Sequence, residues 1–163
     1  MATVEVTFTP LPAHVRTARL VATAVARRSG VDEALLDEVR LAVGEACSRA
    51  VEAHQRHCPA EPVRIEMTDQ GERFVVVVSD HAPTATKASN APASANGGSA
   101  GQGGQGAPGG PGRSIEVSHE EDGGLIPAGF GLAVISGLAD DVHVSSTSSG
   151  VSVRMSWPSA ITA

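Results

Sequence analysis

Apolar and polar residues alternate at the start of the chain. Val4, Val6 and Phe8 are separated by Glu5 and Thr7, the period of a half-buried strand, and Pro10 and Pro12 end it. The period then lengthens. Val15, Ala18, Val21, Ala22 and Val25 predict a helix from about Ala13 to Ser29, with Gly30 as its C-terminal cap. Asp32 reads as the N-cap of a second helix, with Glu33 in its first turn. That helix carries Leu36, Val39, Val43, Ala46 and Ala50 on one face and fades near His54 to His57, ahead of Pro59. Val63, Ile65 and Met67 alternate with Arg64, Glu66 and Thr68. Asp69-Gln70-Gly71 is a turn, and Phe74 to Val78 is the return strand of a hairpin. Its valine run predicts a central strand covered on both faces.

From about residue 82 to 128 the periodicity is lost. Ala, Ser, Gly, Pro and Gln dominate, which predicts a flexible insertion. Gly129-Phe130-Gly131 then reads as a glycine turn entering a short apolar helix that runs to Leu138. Val142 and Val144 form a strand, Ser145 to Gly150 a turn, and Val151, Val153, Met155 and Trp157 the last strand. The order predicts an α/β fold: a two-layer sandwich of helices on one mostly antiparallel sheet, as a single domain over residues 1–163.

Composition narrows the function. Aromatic residues are 2% of the chain, so base stacking is essentially unavailable, and the net charge of -6 counts against direct nucleic-acid binding. The first third is richer in arginine (Arg16, Arg19, Arg27, Arg28, Arg40, Arg49), which suits an acidic protein partner or a phosphate. The two cysteines, Cys47 and Cys58, lack metal-ligand spacing, and a disulfide between them is neither required nor excluded. The six histidines do not cluster as ligands, so no metal site is expected from them, and the spacing of His54 and His57 at a helix end is more often that of surface residues. There is no basic, apolar leader at the N-terminus and no run of eighteen apolar residues. The expectation is a soluble, cytoplasmic protein that does not associate with membranes.

Glu45 and Arg49 are four apart on the second helix and project together, able to serve a pocket or simply to pair with each other at the surface. Asp80 follows the valine strand, where a carboxylate can accept a bond from a base amine or merely end the strand. Gly129 and Gly131 can bring backbone N–H groups to a phosphate or only make a turn. The formal G-x-G-x-x-G at Gly101–Gly106 neither follows a strand nor opens a helix and carries no dinucleotide reading.

Taken in order, Phe8-Thr9-Pro10-Leu11, Ala18-Arg19, Val43-Gly44-Glu45-Ala46-Cys47-Ser48-Arg49-Ala50-Val51, Val78-Ser79-Asp80, Gly129-Phe130-Gly131-Leu132 and Gly150-Val151-Ser152-Val153-Arg154 resemble anti-sigma factors with a serine-protein-kinase fold. These belong to the GHKL ATPase superfamily, and the Ala-, Val- and Arg-rich style looks like an actinobacterial member. The resemblance implies an α/β sandwich with ATP held between the helices and a mobile lid, and the insertion falls where that lid belongs. It implies a sigma factor and a STAS-domain anti-anti-sigma factor as partners, and members are often homodimers. By position, Glu45 corresponds to the general base, Asp80 to the reader of the adenine amine, and Gly129 and Gly131 to the phosphate-binding turn. Arg19, with Arg16 beside it, corresponds to the partner contact.

Three departures stand out. Arg49 replaces the Asn that usually holds Mg²⁺, and a guanidinium has no lone pair for a cation. His81-Ala82-Pro83-Thr84 replaces the glycines expected after Asp80, which should stiffen the loop and restrict nucleotide approach. Val151 replaces the usual Thr, leaving Ser152 as the nearest hydroxyl. Arg49 either pairs directly with phosphate, keeping weak ATP binding, or the site is lost. The leading expectation is an anti-sigma factor with impaired or lost ATP binding. An active serine kinase of the STAS partner and a nucleotide-sensing adaptor without a sigma factor are the alternatives.

Overall fold

The computed structural model describes residues 1–83, the backbone of 116–119 and residues 132–160. The elements run β1 (Ala2–Phe8), α1 (Pro12–Arg28), a 3-10 turn (Glu33–Leu35), α2 (Leu36–His57), β2 (Val63–Asp69), β3 (Arg73–Ser79), β4 (Glu116–His119), α3 (Leu132–Leu138), β5 (Asp141–Thr147) and β6 (Gly150–Pro158). One six-stranded sheet has the order β1-β2-β3-β6-β5-β4. Every neighbouring pair is antiparallel except β4 and β5, which run parallel and are connected through α3. The fold is the α/β sandwich expected, helices layered on a mostly antiparallel sheet.

The local signals act where they were read. Gly30 ends the α1 region at φ +82°, a backbone angle that favours glycine. Asp32 does cap, its carboxylate accepting from the Ala34 N–H at 2.8 Å, but it caps the 3-10 turn that feeds α2. Both stripes face inward: Val15, Ala18 and Ala22 of α1 are buried with Val21 and Val25 partly buried beside them, Ala26 joins them, and Leu36, Val39, Val43, Ala46 and Ala50 of α2 are buried. They meet Val63, Ile65 and Met67 of β2, Phe74, Val76 and Val78 of β3, and Val151, Val153, Met155 and Trp157 of β6 in one core. Trp157 donates its indole N–H to the Leu138 carbonyl at 3.0 Å, which satisfies its polar atom.

Two expectations change. β3 is central, but its second face is only partly covered. Val77, half-buried there, lies between Glu66 and Arg154 on the neighbouring strands. The region assigned to the insertion contains β4, which has a single apolar residue, Val117, and so no periodic signal. Ala82, assigned to the start of that insertion, is buried and hydrogen-bonded. No helix among the described residues is long and apolar enough to cross a membrane.

Candidate functional site

β3 ends at Ser79, and the alternation of its side chains turns Asp80 toward the helical face, under α2. Arg49 descends from α2 to meet it. Its Nη1 donates to Asp80 Oδ2 at 2.8 Å, and the side chains are 14% and 1% exposed. The other carboxylate oxygen, Oδ1, accepts from the backbone N–H of Ala82 at 3.1 Å and of Val151 at 3.2 Å. The Asp80 N–H donates to the Val151 carbonyl at 2.9 Å. The carboxylate therefore holds one charge-assisted and two backbone bonds, joining α2, the end of β3 and the start of β6.

Glycine makes this approach available. Gly150 sits at φ +150°, and a Cβ there would clash with the Asp80 carbonyl oxygen and lie 3.1 Å from His81 Cα. A second tie lies alongside. His54 is fully buried, not at the surface as its spacing suggested. The backbone N–H of His81 donates to its Nε2 at 2.9 Å, so its Nδ1 carries the proton and donates to the Glu61 carbonyl at 2.9 Å. Helix-end histidines are usually solvated, but His54 lies four residues after Ala50, on the inward stripe of α2, and that spacing is the signal for its burial.

The remaining predicted residues fall in different places. Glu45 is half-buried one turn before Arg49, and among the described residues its carboxylate has no ion pair. The surface pair between Glu45 and Arg49 is replaced by the Arg49–Asp80 pair. Ser152 belongs to the far face of the sheet, with its Oγ 3.4 Å from Ser79 Oγ, and Val151 is the side chain turned inward. Ser152 therefore lies on the face of the sheet away from the Arg49–Asp80 pair. Gly129 and Gly131 lie outside the described residues.

Arg16 is exposed on α1. Arg19 is half-buried and lies across α2 at Gly44, where a Cβ would clash with its Nε, a buried nitrogen with no hydrogen-bond partner among the described residues. Arg16, Arg19, Ser48, Glu52 and Gln55 line a groove of about 340 Å³ between the two helices. Burial pushes the Cys47 thiol up to about 12, with Arg19 pulling it partly back. Cys47 and Cys58 are both free.

The model of the histidine kinase-like ATPase domain matches residues 8–157. The chain belongs to that family. Its fold superposes on the crystal structure of the RsbU and RsbW domains of Rv1364c from Mycobacterium tuberculosis with a TM-score of 0.57 at 13% identity, covering 100% of this chain and 35% of that one. The chain thus spans about a third of that protein, and the likeness is one of fold. None of the curated proteins matches it in sequence.

A histidine kinase-like ATPase domain implies possible nucleotide binding, and of the described residues Arg49 and Asp80 do not fit a cation. Arg49 offers no lone pair to a metal, its charge repels one, and Asp80 is already bonded on both oxygens.

Proposed function

We propose that this histidine kinase-like ATPase domain is a cytoplasmic anti-sigma regulator that sequesters a sigma factor and releases it by switching to a STAS-domain anti-anti-sigma partner. ATP binding is weak or lost. The observation that carries the reading is the α1/α2 groove, lined by the exposed Arg16 and the half-buried Arg19. Two guanidinium groups at the mouth of one groove present donors and positive charge that acidic side chains of a docked protein would meet. The motif resemblance to anti-sigma factors and the fold likeness to a protein with an RsbW domain support it. The Arg49–Asp80 pair weighs against an active serine kinase, since phosphoryl transfer relies on metal charge.

The test is affinity capture of the tagged protein from its native cytoplasm, with and without Mg-ATP, followed by mass spectrometry. A sigma factor or STAS protein should be recovered with the wild type and lost with Arg16→Ala/Arg19→Ala, and added nucleotide should change little. Recovery of neither partner by a verified fold overturns the reading. Labelled-phosphate transfer to a recovered STAS protein would establish the kinase instead.

A further inference from the structure

We propose that Arg49 is a built-in occupant of the adenine end of this pocket, making to Asp80 the donor-to-carboxylate bond that a purine amine would make. The inference rests on reading Asp80 as the position that would face adenine; it does not depend on the identity of the protein partner.

The geometry carries it. A carboxylate offers about four acceptor positions. In Asp80 three are used, by Arg49 Nη1 and by the N–H groups of Ala82 and Val151. The backbone donors on Oδ1 belong to the fold, so Oδ2 is the oxygen left for a ligand, and Arg49 holds it. A purine amine at that oxygen would have to displace the guanidinium or share the oxygen with it, and displacement is the route that reproduces a full amine-to-carboxylate bond. That exchange is unfavourable on two grounds. The bond lost is charge-assisted and about twice as strong as the neutral one gained. The guanidinium is also tethered, and is present at an effective concentration of at least about millimolar whatever the nucleotide level.

Occupation also fixes the surroundings. The pair ties α2 to the β3–β6 end, His54 holds the His81 N–H from the same helix, and Gly150 admits the Asp80 backbone at close range. The contacts that nucleotide would otherwise bring to Asp80 are already made, so the pocket is ordered without it. Partner binding by this domain is then independent of nucleotide, and the dependence returns when Arg49 is removed.

The experiment compares wild type, Arg49→Ala and Arg49→Gln by thermal melting and calorimetry, using adenosine, Mg-ATP and methylguanidinium as probes. The wild type should show no saturable shift with any of them at about 1 mM. Arg49→Ala should melt lower, regain part of the loss with methylguanidinium, and bind adenosine at least about tenfold more tightly than the wild type. Guanosine, which lacks the amine at that ring position, should have no such effect. Arg49→Gln retains an amide donor to Asp80 and more of the side-chain volume, so it serves where Arg49→Ala does not fold. It should show a smaller gain of the same sign. Adenosine binding by the wild type as tight as by the variants overturns the proposal. So does a folded variant that gains nothing. Neither result bears on whether a sigma factor is captured.

Discussion

Replacing His54 with Ala should destabilise the domain by about 2–5 kcal/mol, a large share of the roughly 5–15 kcal/mol of a typical domain. The imidazole is fully buried and satisfies two backbone groups at once, the His81 N–H and the Glu61 carbonyl. Each group left unsatisfied costs about 1–3 kcal/mol. A water entering the new cavity would bridge both and bring the loss to the lower end of the range. Two further variants divide the effect. Asn places an amide near Nδ1 and should keep the Glu61 bond while losing that to His81. Gln reaches toward Nε2 and should do the reverse. Urea denaturation reads the outcome through Trp157, the one tryptophan, 1% exposed in the native state. A His54→Ala variant within about 0.5 kcal/mol of the wild type would refute the bridging role, because that is the range of an ordinary surface substitution.

Gly150→Ala should cost at least about 3 kcal/mol in the same assay, since it adds a strained φ and forces apart the Asp80–Val151 backbone bonds; a native-like midpoint would mean that the approach is loose. The thiol of Cys47 is raised by burial from 9.0 to about 12, so its neutral form is favoured in the folded state. The resulting stabilisation is fully present below the unfolded thiol value and is lost as pH rises toward about 12. Between those limits stability should fall by up to about 1.4 kcal/mol per pH unit, and Cys47→Ala should flatten most of that decline. The chain has no tyrosine and a single lysine, Lys87, so few other groups titrate in that window.

The fold was legible where the periodicity was strong. Leu36, Val39, Val43, Ala46 and Ala50 define α2 by spacing alone, and all five are buried as that spacing requires. The hairpin follows from alternation on either side of Gly71, which takes φ +87°. β4 was not legible, because a four-residue strand with one apolar side chain has no measurable period and is set by pairing with β5. The site was half legible. Glu45, Arg49 and Asp80 can be picked out as chemistry-bearing residues, but a one-dimensional spacing pairs Arg49 with the carboxylate four residues away. The fold offers it a better one, thirty-one residues later in sequence and almost fully buried. Ser152 shows a related limit of spacing: moving a hydroxyl one residue along a strand moves it to the other face of the sheet.

The Arg49–Asp80 pair also constrains its surroundings. A buried ion pair owes much of its apparent strength to what happens when one partner is removed, about 3–5 kcal/mol for the charge left behind. Arg49 therefore cannot leave Asp80 for a passing ligand without leaving a carboxylate that is 1% exposed with only two backbone donors. With Asn at position 49, as in the anti-sigma family this chain resembles, no charged donor would compete for that oxygen, and a ligand amine would find it open. Helix, strand and backbone bonds are the same in both cases. The choice between a carboxylate open to an outside donor and one already paired thus falls to a single side chain.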